Sequence, residues 1–182
     1  MIEALVFLAA AASLPACDSY EVSADHIGPL KLGDSESELR ETLSQSGLPF
    51  DHGFVNMEGT EYAQFTVSLC DGGDVVATLD EDQGGTIYSL ETASPKFRLP
   101  DGSHAGKTVS QLQEVYPEGE AIYGQEEGGF FVFLTGQEGL YFDFDTSELG
   151  YECLRRYQNC PEDLSGFRSS QLRLVLIPTE PE

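Results

Sequence analysis

One pattern in this sequence occurs twice. Gly33-Asp34-Ser35-Glu36-Ser37-Glu38-Leu39-Arg40-Glu41-Thr42-Leu43 corresponds to Gly106-Lys107-Thr108-Val109-Ser110-Gln111-Leu112-Gln113-Glu114-Val115-Tyr116 at a constant offset of 73 residues. The match is chemical more than literal. Ser35 and Thr108 are N-cap residues, and Glu38 and Gln111 stand three positions later, so each copy offers a capping box that satisfies amide groups at a helix start from both sides. Leu39 with Leu43, and Leu112 with Tyr116, are i, i+4 pairs that give each short helix one apolar stripe. Gly47 and Pro49 end the first helix, and Pro117 ends the second.

After each helix the apolar period changes from 3.6 to 2. Residues 62–69, 75–79 and 86–91 read as strands, joined by Asp71-Gly72-Gly73-Asp74 and by residues 80–85. Residues 130–134, 140–144 and 171–177 play the same parts in the second half, with Gly136-Gln137-Glu138-Gly139 as the first turn. Residues 20–32 supply a further strand around a Gly28-Pro29 kink. This pattern predicts an α+β protein of two tandem helix-plus-antiparallel-meander repeats, over 18–99 and 100–182. Helices of two or three turns are marginal alone, so the halves are expected to share one core.

Residues 1–17 read as an export signal. Ala4 to Ala16 is an uncharged apolar run, too short to span a bilayer as a helix, and fits a signal-peptide core. It ends at Leu14-Pro15-Ala16-Cys17, which resembles the lipobox of bacterial lipoproteins. That resemblance makes Cys17 the expected site of lipidation and the new N-terminus. The alternatives are cleavage by ordinary signal peptidase and a free buried cysteine in an N-terminal helix. In an oxidising compartment the remaining cysteines should pair. Cys153 and Cys160 lie seven apart and form the expected disulfide, which leaves Cys70 alone.

Charge narrows the choice of partner. The chain holds 32 Asp and Glu against 9 Lys and Arg, a formal net charge of -23. A phosphate backbone would be repelled at long range, so nucleic acid is excluded as a partner, and cations or basic proteins fit better.

Residues 80–91 resemble a twelve-residue EF-hand loop, with Asp80, Asp82 and Glu91 as the candidate metal ligands. The β-branched run before the loop fits a hairpin with an acidic turn instead. Asp143 and Asp145 share one strand face while Phe142 and Phe144 share the other, the pattern of a half-buried strand with a wet side. His26, His52 and His104 are scattered without ligand spacing, and no nucleophile elbow, P-loop or dinucleotide fingerprint is present. Aromatic residues crowd the second half. Phe131, Phe133 and Tyr141 are the candidate docking surface if one face of those strands is uncovered.

Ile27-Gly28-Pro29-Leu30-Lys31-Leu32-Gly33, Thr86 to Pro95, Asp101-Gly102 and Gly106-Lys107-Thr108 together resemble small bacterial envelope lipoproteins, including a sigma-E-regulated lipoprotein family. The helix-then-sheet order is also similar to the β-lactamase-inhibitor-protein architecture and to small lipoproteins of outer-membrane assembly. The resemblance implies a non-catalytic binding module without a cofactor, lipid-anchored at the periplasmic face of the cell envelope, with an envelope protein as partner. The rival expectation is a calcium-binding or hydrolase-like periplasmic protein that uses the Asp80–Glu91 segment.

Overall fold

The computed structural model describes residues 14–57, 59–80, 84–124, 130–149, 152–153 and 160–177. A short 3-10 turn at Cys17–Ser19 leads into a small hairpin of β1 (His26–Ile27) and β2 (Leu30–Lys31). The expected Gly28-Pro29 kink is its turn. Gly28 has φ of 57°, and a Cβ there would lie 2.7 Å from the Tyr20 ring, so both conformation and space favour glycine.

Helix α1 (Glu36–Ser46) and helix α2 (Val109–Val115) start at the expected caps. The Ser35 hydroxyl accepts from the Glu38 amide while the Glu38 carboxylate accepts from the Ser35 amide at 2.8 Å; Thr108 and Gln111 repeat the arrangement. Gly47 closes α1 in the left-handed conformation, donating to the Leu43 carbonyl.

Apart from a 3-10 turn at Thr146–Leu149 and the connecting loops, the described remainder of the fold is one antiparallel sheet. Its strands are β3 (Phe50–Met57), β4 (Thr60–Cys70), β5 (Gly73–Asp80), β6 (Thr86–Thr92), β7 (Glu120–Gly124), β8 (Phe130–Leu134), β9 (Leu140–Phe144) and β10 (Ser169–Val175). They lie in the order β3-β4-β5-β6-β10-β9-β8-β7. Strands β6 and β10 therefore meet at the centre, with Leu90 opposite Leu174 and Glu91 opposite Arg173. The outermost strands, β3 and β7, are additional to the sequence expectation. An edge strand is wet on more than one side, so its residues need not alternate cleanly: β3 contains Asp51, His52, Gly53 and Asn56, and none of its residues is fully buried.

The segment before each helix is tied to the last strand of its half, β6 or β10. The Gly33 amide donates to the Ile87 carbonyl and the Ile87 amide to Asp34; the Gly106 amide donates to Ser169 and the Ser169 amide to Lys107. At Gly33 and Gly106 the chain turns with φ of 87° and 91°, where a Cβ would be strained.

Both helices pack on the same face of the sheet. Leu39 and Leu43 of α1 and Leu112 of α2 join Phe65, Leu90, Phe133, Phe142 and Leu174 in one continuous buried cluster. The guanidinium of Arg40 sits 4.7 Å over the Phe65 ring, and Tyr116 packs beside Phe133 and Phe142. The Tyr116 hydroxyl donates to Asp101 at 2.6 Å, fixing the loop before α2. None of the described helices is long and apolar enough to cross a membrane.

Candidate functional site

Because both helices occupy one face, the sheet presents the other. Alternation places Tyr62, Gln64 and Thr66 of β4, Val76 of β5, Glu91 of β6, Gln171 and Arg173 of β10, and Tyr141 and Asp143 of β9 on that open face. These are partly exposed, whereas Thr78 and Ser89 on the same face are buried between them. Tyr62 and Tyr88 pack with their rings tilted and 5.7 Å apart at its first-half side.

At the centre of this face, where the halves join, stands one cation among nine in the chain. Arg173 donates through Nη2 to Asp143 Oδ1 at 2.8 Å, lies over the Tyr141 ring at 5.5 Å and is the cross-strand partner of Glu91. The Asp143 side chain is only 23% exposed and that of Arg173 35%. The Arg173 Nε is buried with no acceptor among the described residues. Burial pushes the Glu91 and Asp143 carboxyls above the usual carboxylate range, although Arg173 pulls both back. Beside Glu91 the face dips into a cleft of about 440 Å³ lined by Thr66, Asp74, Val76, Glu91 and Gln171. Two carboxylates around one guanidinium give the centre a negative balance. The arrangement suits a basic or hydrogen-bond-donating group.

Sequence reasoning did not assemble this group. Asp143 was legible as the wet side of a strand, but its burial against Arg173 was not. The available signal was a lone arginine inside an alternating strand, with Glu91 inside another.

The expected sites fall differently. Asp80 is the cross-strand partner of Thr86, while Glu91 stands opposite Val76, four residues away along β5. At roughly 3.3 Å per residue the two are about 13 Å apart along the sheet, and a calcium ion needs its oxygens within about 2.6 Å. Asp80 and Glu91 are thus held apart on the paired strands β5 and β6, which corrects the pairing of these two carboxylates as ligands of one ion. Asp82 lies outside the described residues. Among the described residues no cluster of three or more His, Cys, Asp and Glu is placed to hold a metal ion.

The aromatic reading also needs correction. Phe131 and Phe133 are 2% and 0% exposed. Phe131 stacks on Phe144 at 4.4 Å and meets Phe167 edge-on, so both phenylalanines belong to the helix-side core. Tyr141 alone of the three is on the open face. Large aromatic residues on β8 and β9 fill the space under α2 rather than a docking patch, because α2 has only seven residues and covers little by itself.

The cysteines form two bonds. Cys153 is joined to Cys160, and Cys17 to Cys70, with Cα atoms 4.6 Å and 5.1 Å apart. Cys70 is therefore not alone. A sequence separation of 53 residues hid its partner, which the β4–β5 turn brings to the N-terminal segment. The same sulfur of Cys17 cannot hold a disulfide and a lipid thioether together.

No protein-family model matches this chain, and no curated protein matches it in sequence. Its fold is similar to the crystal structure of the uncharacterized protein yfeY from Escherichia coli, with a TM-score of 0.57 and 18% identity over 86% of this chain and 99% of that one. At that identity the likeness is one of fold.

Proposed function

We propose that this chain is a non-catalytic binding module of the bacterial cell envelope, exported to an oxidising compartment, whose open sheet face docks a basic segment of a protein partner. The observation that carries the reading is the half-buried Arg173–Asp143–Glu91 group at the centre of that face. It is based on three adjacent strands, with Tyr141 against Arg173 and the Tyr62–Tyr88 pair toward one side of the same face, and tyrosine supplies contact area at low entropic cost. The surplus of carboxylates, locally and over the chain, selects a Lys- or Arg-bearing partner and repels anionic surfaces. Export is supported by the apolar run at the N-terminus and by two disulfides, which persist outside reducing compartments. The equivalent caps, glycines and backbone ties of the two halves support descent from one duplicated helix-and-meander unit, which would place the docking centre on the seam between copies.

Site-specific photo-crosslinking in cells tests this. A photoreactive residue at Gln64 or Gln171 should trap a protein through a Lys- or Arg-rich stretch, with yield falling as salt rises. The same residue at Glu114, on exposed helix α2, should not. Equal trapping from Glu114, or adducts on an acidic or uncharged stretch, would defeat the reading.

A further inference from the structure

We infer that Cys17 is one half of a structural cystine and not a lipid attachment site, so the chain is processed upstream of Cys17 and is not anchored through it. Three observations carry this. The Cys17 sulfur is bonded to Cys70, and the residues are 8% and 1% exposed, inside the same buried cluster as Leu69, Val75 and Phe97. Acyl chains on that sulfur would have to displace both Cys70 and this packing.

The second observation is Gly73. Unlike the turn glycines its φ is not positive, so its backbone would accept any side chain. What excludes one is the cystine. A Cβ at Gly73 would overlap the Cys70 sulfur, lie 2.9 Å from that of Cys17 and 3.1 Å from the Phe97 ring. The first residue of β5 is thus shaped around two sulfurs belonging to different parts of the chain.

The third is the seating of the segment itself. Leu14 packs against the core, the Ser19 hydroxyl and amide both donate to the Ala16 carbonyl, and the Tyr20 amide donates to Cys17. Across the hollow that Leu14 to Asp18 form with Asp71, Lys96 and Arg98, Lys96 donates to the Asp71 carbonyl. Residues on the N-terminal side of Cys17 are therefore part of the folded domain. A lipoprotein cysteine, by contrast, is the first residue of its mature chain. Formation of the bond is a two-electron oxidation that joins two thiols and releases two protons, with the thiol oxidant of the export compartment as electron acceptor.

The test is intact-mass and peptide analysis of the full-length gene product after expression in a bacterium with lipoprotein-processing enzymes. Fatty-acid feeding with an alkyne-labelled acyl chain is run in parallel. The expected result is a mature chain that retains residues before Cys17, carries no acyl label and yields a Cys17–Cys70 cross-linked peptide without reduction. Blocking lipoprotein signal peptidase should leave its processing unchanged. An acylated Cys17 at the N-terminus, a Cys17 thiol that alkylates freely, or a mature chain that begins after Cys17 would each overturn the inference. None of these results bears on the open-face binding centre, whose crosslinking is read separately.

Discussion

Removing each disulfide in turn should expose an unequal pair. The bond between Cys17 and Cys70 closes 53 residues of chain and that between Cys153 and Cys160 closes 7. In the chain-entropy account the loss of unfolded-state freedom grows with the logarithm of the loop, giving about 4 kcal/mol for the long loop and about 2.4 kcal/mol for the short one. A domain of this size moves roughly 2 to 4 °C in melting temperature per kcal/mol. Cys17→Ser with Cys70→Ser should then lower the melting temperature by roughly 8 to 16 °C, and Cys153→Ser with Cys160→Ser by roughly 5 to 10 °C. Circular dichroism melts of both double variants beside the oxidised wild type make the comparison, since each pair loses the same atoms. The long loop also enlists the packing of Leu14 and Tyr20, so its loss should be accompanied by faster proteolysis ahead of β1. An equal or reversed order would refute the account, and an unchanged melt in the Cys17/Cys70 pair would show that the N-terminal segment contributes nothing to the fold.

Two further outcomes follow from the open face and from the core. Folding raises the Glu91 carboxyl above its ordinary range, mainly by burial, so the stability this group contributes is complete below the unfolded value near pH 4 and is lost as pH rises through the folded value. Glu91→Gln should therefore melt at or above the wild-type temperature at pH 7, with the difference closing below about pH 4; a variant that is weaker at pH 7 and equal at low pH would reverse the sign. Phe131→Ala should cost about 3 to 5 kcal/mol in urea unfolding, because it empties a site between Phe144 and Phe167, whereas Tyr141→Ala should cost less than half as much. Similar costs at both positions would return Phe131 to the surface.

Much of the local structure is legible in the sequence alone. The capping boxes at Ser35 and Thr108, the glycine stop at Gly47, the Gly28-Pro29 turn and six of the sheet strands each depend on residues within a few positions of one another, and such signals survive in a linear reading. Edge strands β3 and β7 did not, since weak burial erases alternation. Asp80 and Glu91 illustrate the opposite hazard: carboxylate spacing that suits a metal on a curled loop is pulled apart when the two residues lie on paired strands.

Residue order alone thus dictated where helices start, where turns fall and which side chains alternate. It could not assign facing. That Phe131 and Phe133 point under α2 depends on the register of β8 with its neighbours, that Cys17 reaches Cys70 across 53 residues depends on the N-terminal segment seating against the β4–β5 turn, and that Glu91, Asp143 and Arg173 converge from three strands depends on the central pairing of β6 with β10. Those contacts join residues far apart in the chain, and their free energy exists only once the whole sheet has closed.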